Sequence, residues 1–333
     1  MLGIAPASGE QKPSTAPSSV AFSALFHSLQ QKRLFSPRTN RHSRAMNPAI
    51  RAAQEVALHH GMTPDRCDIL QDAHTVVVRL TDDLVARIVT DTTGPRSGTT
   101  WLQRETAIAA HLTRQGAPII PLHPNLPPVA HLHQGYAMNF WTYVTALPTA
   151  PDPDIIGRTL HECHRALASL PEPLPTLAIV EESLTILEQA EVQQALTPAE
   201  IDLLSHHLRC SLQALGPLPH QALHGDAHMG NLLMTTRGLL WTDWEDAFSG
   251  PIEWDIASVI WNAQILEEDH DSVEKILTSY QQQGVEMDPE ALQQCLIARA
   301  AVMSTWYPIL YPQPNPDRQR KLQQRLEWLK ERV

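Results

Sequence analysis

The densest run of side chains able to do chemistry is Leu223-His224-Gly225-Asp226-Ala227-His228-Met229-Gly230-Asn231-Leu232-Leu233-Met234, followed by Gly238-Leu239-Leu240-Trp241-Thr242-Asp243-Trp244-Glu245-Asp246. Two short apolar stretches, 232–234 and 239–242, flank the polar turn Thr235-Thr236-Arg237-Gly238, which is the pattern of a β-hairpin. In such a hairpin the residue before the first strand and the residue after the second lie together at the open end. Here they are Asn231 and Asp243. Paired strands sit roughly 4.8 Å apart, so an amide oxygen and a carboxylate at that end can share one cation. Both are hard ligands, suited to a Mg²⁺ ion that keeps waters and substrate phosphates as its other ligands. Asp226, in the loop just before, is placed to face the same spot and to accept a proton from an attacking hydroxyl. Any one of the three alone reads as an ordinary turn residue; three in order around one hairpin do not.

His-Gly-Asp-x-His-x-x-Asn followed by an apolar strand and Asp-Trp resembles the signature of the aminoglycoside phosphotransferase and choline kinase family. Asp226 and Asn231 also match the spacing of a protein-kinase catalytic loop. The stretch Ser249-Gly250-Pro251-Ile252-Glu253-Trp254-Asp255-Ile256-Ala257 is similar to the family's segment after the metal-binding Asp. The resemblance implies an α+β, two-lobed protein-kinase-like fold and an ATP- and Mg²⁺-dependent transfer of the γ-phosphate to a hydroxyl of a small molecule, antibiotic or metabolite. It assigns Asp226 to the acceptor hydroxyl, Asn231 and Asp243 to Mg²⁺, and His224 to anchoring the loop. It also implies a basic residue on the second strand of an early hairpin, paired with a Glu in the next helix. Arg87 and Glu105 fit those places, with Arg where the family has Lys. By order along the chain, Asn139, Phe140 and Trp141 fall near the adenine. The turn Asp72-Ala73-His74-Thr75 stands at the phosphate loop and contains no glycine, which departs from the pattern.

The elements that must position these residues follow from periodicity. Residues 48–60 read as a short amphipathic helix with Pro48 at its start. Thr75–Leu80 and Leu84–Val89 read as strands joined by the turn Thr81-Asp82-Asp83. A loop over 91–100 leads to a helix whose start has capping-box spacing at Thr100 and Gln103, and which ends near Gly116. Residues 117–135 read as a loop studded with Pro and His, with His123, His131 and His133 at the surface. Residues 136–144 read as a strand leading to the hinge. Helical patterns cover about 153–170, 176–195, a segment from Thr197-Pro198-Ala199-Glu200, 254–283, 288–308 and 317–332. Strands first and helices after predict an N-terminal nucleotide-binding lobe over 46–142 and a helical C-terminal lobe over 143–333.

At 333 residues, 43% hydrophobic and 18% charged, the chain is large enough for two packed lobes and ordinary in composition. No apolar run reaches eighteen residues, which predicts no membrane partner. A net charge of −11 argues against a nucleic-acid binder. The four scattered cysteines fit a reducing, cytoplasmic setting. Residues 1–45 hold six basic side chains and one acidic one, leaving 19 basic against 35 acidic groups beyond them. That stretch reads either as a targeting peptide or as a disordered extension, with Met46 opening the folded region. His161-Glu162-Cys163-His164 carries ligand-type residues but lies in a helical pattern as packed side chains. Glu267-Glu268-Asp269-His270-Asp271 reads as a solvated helix end. Two other functions compete with the kinase: a non-catalytic nucleotide-binding pseudokinase, motivated by the glycine-free turn, and a metal-dependent hydrolase on His224, Asp226 and His228. The acceptor and the oligomeric state have no signature in the chain.

Overall fold

The computed structural model describes residues 47–72, 75–90, 99–266, 270–311, 313 and 315–333. The expectations for residues 1–45, for the 73–74 turn, for most of the 91–100 loop and for the acidic positions 267–269 lie outside the described residues. The fold is α+β and two-lobed, with a small β-sheet lobe first and a larger helical lobe after it.

The first lobe opens with helix α1 (Pro48–His59), capped by the Asn47 side chain, which accepts from Ala49 N at 2.9 Å. Its Ala49, Ile50, Ala53 and Val56 face is buried. Against it lies an antiparallel sheet of β1 (Asp68–Asp72), β2 (Thr75–Arg79), β3 (Leu84–Val89), β4 (His131–His133) and β5 (Tyr136–Thr142), in the order β1-β2-β3-β5-β4. The predicted hairpin is β2–β3, with Val77 opposite Arg87. Its turn is tied by Thr81 Oγ1, which accepts from Leu84 N at 3.0 Å.

β1 and β4 escaped the sequence reading. Both are edge strands, short and polar, so they carry little of the alternation that marks a half-buried strand. The β4–β5 turn is made by Gln134 and Gly135, both at positive φ, without the Asn-Gly or Asp-Gly signal of such turns. The surface placement of His123 is corrected: it is 2% exposed, with Nε2 3.4 Å from Asp83 Oδ2. Its segment lies along β5, His123 N donating to Phe140 O at 3.1 Å and Thr142 N to Pro121 O at 2.9 Å. Backbone pairing therefore draws the loop inward.

Helix α2 (Thr100–Arg114) follows the sheet's central hairpin. The capping box at Thr100 and Gln103 does not form. Thr99 is the cap residue, already in a helical conformation, and makes no side-chain cap bond.

The second lobe contains α3 (Pro153–Leu167), α4 (Ala178–Ile186), α5 (Ala190–Ala195), α6 (Pro198–Leu215), α7 (Glu253–Leu266), α8 (His270–Gln281), α9 (Pro289–Leu310) and α10 (Pro316–Lys330). The capping box predicted at Thr197 and Glu200 is present in both directions. The pattern over 176–195 divides into two helices because Gln189 turns extended between them. Helices α7 and α9 are buried on nearly every side and form the floor of the lobe. Two small ladders lie against α3: β6 (Gln221–Ala222) with β9 (Ser249–Gly250), and β7 (Leu232–Thr235) with β8 (Gly238–Trp241), where Trp241 Nε1 donates to Thr159 Oγ1 at 3.1 Å. Among the described residues no helix is long and apolar enough to cross a membrane.

Candidate active site

The β7–β8 hairpin runs in the register expected from its turn, Leu232 opposite Trp241 and Thr235 opposite Gly238. One further bond, Thr242 N to Asn231 O at 3.0 Å, carries the ladder to the open end. Asn231 closes a short 3₁₀ turn there, and Asp243 turns left-handed at φ 70° as the chain leaves β8.

The loop before the hairpin is held by backbone contacts. Gly225 has φ 83°, and a Cβ at that position would lie 2.0 Å from the Asp246 carbonyl oxygen, so the two loops meet backbone to backbone. Asp255, at the start of α7, accepts from His224 N at 2.8 Å and Gly225 N at 2.9 Å. Trp254 Nε1 donates to Gly225 O at 2.8 Å. His164 on α3 reaches Asp255 Oδ2 with Nε2 at 2.9 Å and the Tyr280 hydroxyl with Nδ1 at 2.6 Å. Burial, with Asp255 and Glu253 nearby, pushes the Tyr280 hydroxyl well above its ordinary value. It therefore donates to Nδ1, which leaves the Nε2 proton for Asp255. His164 is thus a packed structural residue. Among the described residues no group of three or more His, Cys, Asp or Glu side chains is placed to hold a metal.

His224 is fully buried, its ring 4.4 Å from that of Trp244 and its Nε2 3.0 Å from Thr242 O. Its Nδ1 accepts from Asp226 N at 3.4 Å. With both nitrogens engaged by backbone, the ring links the loop to the hairpin and has no lone pair to offer a hydrolytic metal.

Asp226 is surrounded. Arg299 Nη2 donates to Oδ1; His228 Nε2 lies 3.2 Å from Oδ2. Asn231 Nδ2 donates to the Asp226 carbonyl at 2.9 Å and to Oδ2 at 3.3 Å. Burial pushes this carboxyl up, but His228 and the Arg299 guanidinium outweigh it and hold the group well below the usual carboxylate range. Asp226 is ionised at any physiological pH.

A second network comes from the other lobe. Arg87 Nη1 donates to Glu105 Oε1 at 2.7 Å, while Nη2 pairs with Glu245 and lies 3.2 Å from Asp243 Oδ1. Burial works against the Arg87 charge, yet Glu105, Glu245 and Asp243 keep it protonated well above its ordinary value. Burial likewise raises the Glu105 carboxyl, an effect that Arg87 opposes. Asn139, directly across the ladder from Arg87, donates to Glu105 Oε2 at 2.8 Å and accepts from Trp141 Nε1 at 2.8 Å. Asn139, Phe140 and Trp141 are all buried; Phe140 sits in the core of the first lobe, against the His131 ring.

The structure therefore joins Asp226 with Asn231, and Arg87, Glu105, Asn139 and Trp141 with Asp243. Phe140 stands apart from both groups. Sequence reasoning missed Arg299, the pairing of Glu245 and the anchoring by Asp255. Arg299 had one signal, a single charge inside an apolar helical run.

The donor set suits magnesium. Asn231 commits its Nδ2 to Asp226, which leaves its carbonyl oxygen as the free end. Asp243 Oδ1 is buried and lacks a hydrogen bond, Arg87 being near but misaligned. One or two hard oxygens are what Mg²⁺ ordinarily takes from a protein, the rest of its shell being water and substrate phosphate.

A two-lobed protein-kinase-like fold, with a small β-sheet lobe and a larger helical one, defines the class. The chain belongs to the phosphotransferase enzyme family (APH), whose profile matches residues 56–288. A search of curated protein sequences gives no match. Among solved structures, the chain is similar to the amicoumacin kinase hAmiN in complex with AMP-PNP, Ca²⁺ and Ami. That match has 13% identity and a TM-score of 0.66, covering 89% of this chain and 97% of that one. It is also similar to the choline kinase LicA from Streptococcus pneumoniae, at 15% identity and TM-score 0.62, covering 85% and 99%. A third is spectinomycin phosphotransferase APH(9)-Ia with ADP and spectinomycin, at 14% identity and TM-score 0.56, covering 86% and 94%. At these identities the likeness is one of fold.

Proposed function

We propose that this chain is an ATP- and Mg²⁺-dependent kinase that moves the γ-phosphate to a hydroxyl of a small molecule, an antibiotic or a metabolite. The observation that carries this reading is the reach of Arg87, fixed by Glu105 in the first lobe, to within 3.2 Å of Asp243 at the open end of the hairpin. Both halves of a phosphate site thus meet at one point. The kinases and phosphotransferases of similar fold, with antibiotics or choline in their names, support a small hydroxyl acceptor in place of a protein, nucleic acid or membrane.

Asp226 accepts the hydrogen bond of the acceptor hydroxyl and orients its oxygen at the γ-phosphorus. As the new O–P bond forms, the bond to the bridging oxygen breaks, ADP departs with that electron pair, and the hydroxyl proton passes to Asp226. A carboxyl held this far below its usual range is a weak base, so its main contribution is orientation. Asn231 and Asp243 would hold Mg²⁺, which neutralises phosphate charge when bound. Arg87, held by Glu105 on Nη1 and by Glu245 on Nη2, would turn its remaining N–H donors to phosphate oxygens, a division of donors that the single ammonium of Lys does not give. Asn139 and Trp141 act on the nucleotide side by fixing Glu105, and Phe140 by building the core beneath it. The four cysteines, scattered along the chain with no C-x-x-C pair, accord with a cytoplasmic setting.

The test is ATP consumption with magnesium across aminoglycosides, choline-type amines, amino alcohols and sugars, with Asp243→Ala in parallel. Acceptor-dependent turnover that is lost in the variant is the expected result. ATP binding without any turnover would favour the pseudokinase, and absence of ATP binding would remove the kinase reading.

A further inference from the structure

Arg299 projects from the middle of α9, in the run Ile297-Ala298-Arg299-Ala300-Ala301-Val302, whose other members are all buried and apolar. It is itself 3% exposed, and its Nε has no hydrogen-bond partner. A guanidinium in such surroundings is costly unless paired, and a buried pair is seldom retained for stability alone. Its ion-pair partner is Asp226, 73 residues earlier in the chain.

The three charged or ionisable side chains form a gradient. Arg299 is 3% exposed, the Asp226 side chain 22% and the His228 side chain 32%. The carboxylate is therefore gripped from the interior at Oδ1. Its other oxygen, bounded by His228 Nε2 at 3.2 Å and Asn231 Nδ2 at 3.3 Å, lies on the more open side. An acceptor hydroxyl has to arrive from that side.

We propose that Arg299 is the positioning residue for Asp226, holding Oδ1 from below so that Oδ2 is the oxygen presented to the acceptor hydroxyl, beside His228. This rests on the kinase reading above. It assigns a task in the reaction to a helix that contributes nothing to the hairpin signature, and it explains why a charge stands inside an apolar helix. Arg299 touches neither substrate; it acts only through the carboxylate it orients.

The experiment is a double-mutant cycle on the full chain: wild type, Arg299→Met, Asp226→Asn and the double variant. Each is assayed for acceptor-dependent phosphate transfer, with kcat and the KM for ATP determined separately, and for urea unfolding. Arg299→Met is expected to lower kcat about 10²-fold, the usual effect of a misplaced reacting group, with the KM for ATP unchanged. In the Asp226→Asn background the same substitution should lower kcat no further. Arg299→Lys should recover part of the loss, and it takes the place of Arg299→Met in the cycle if that variant does not fold. Equal losses of kcat in both backgrounds, or wild-type kcat in Arg299→Met, would overturn the proposal. Absence of turnover in the wild type would strike the kinase reading itself. The urea midpoints then still read the pair, and additive losses in the double variant would show that Arg299 does not act through Asp226.

Discussion

Arg87 Nη1 donates to Glu105 Oε1 at 2.7 Å, joining the central strand of the sheet to helix α2. Glu105 is 1% exposed and is held on its other oxygen by Asn139, so it acts as a fixed post against which the guanidinium is aimed at the hairpin. Glu105→Gln keeps the shape and one acceptor while removing the charge. ATP affinity should fall about tenfold, roughly 1.4 kcal/mol, and the melting temperature should fall with it, because the new amide nitrogen faces Arg87 Nη1 or Asn139 Nδ2, both donors, in a buried site. Titration with ATP beside a thermal melt checks both, and an unchanged affinity would release Glu105 from this task.

Asp226→Ala would cut turnover by about 10²–10⁴-fold, the range for losing a group that orients the attacking hydroxyl and takes up its proton, while leaving ATP binding in place. The Ala variant also strips Arg299 of its partner, so part of its loss is structural. Asp226→Asn is the cleaner probe, since its side-chain oxygen still accepts from Arg299. Turnover near the wild-type value in the Asn variant, measured at saturating ATP, would exclude Asp226 from handling the hydroxyl.

Gly225→Ala places a methyl group 2.0 Å from the Asp246 carbonyl at φ 83°, so strain and backbone collision act together. Gly238→Ala, at φ 100° with nothing within 4 Å of the added carbon, isolates the strain alone. Strain of this kind costs about 1–3 kcal/mol. Urea unfolding should show the larger loss for Gly225→Ala, and that variant alone should lose turnover. Equal losses would mean that the contact with Asp246 does not constrain the loop.

Acid should weaken the fold through His207, which is 3% exposed and donates from Nε2 to Leu329 O at 3.0 Å. Burial lowers its ring below the ordinary value, the bond to Leu329 opposes this, and His206 adds to it. A histidine depressed in the folded state binds more protons unfolded, so stability rises with pH. Its contribution is present above the unfolded value of about 6.5 and is lost as pH falls from there through the folded value. The urea midpoint should drop between about pH 7 and pH 5. His207→Gln, which keeps a donor for Leu329, should flatten that slope. A slope unaltered by the substitution would assign the acid sensitivity to other groups.

The sequence by itself determined what is local. Apolar alternation around Thr81-Asp82-Asp83 and around the Thr236-Arg237 turn is enough for both hairpins, and Thr197 with Glu200 makes its own cap. The hairpin at 232–241 also sets its own open end, where Thr242 N donates to Asn231 O and Asp243 follows next in the chain. The edge strands were lost for the converse reason: the three residues of β4, His131-Leu132-His133, are too few to carry a period, and only pairing with β5 makes them a strand.

What only the tertiary structure decided is which distant groups share the site. Arg299 on Asp226, Asp255 under the backbone of His224 and Gly225, and His123 drawn beneath β5 all depend on how elements far apart in the chain pack. Helix and strand periods specify which face of an element is buried, but not which single polar group on another element it meets. That partner is selected by the cost of leaving a buried charge or amide unpaired, and this cost exists only once the lobes have closed around it.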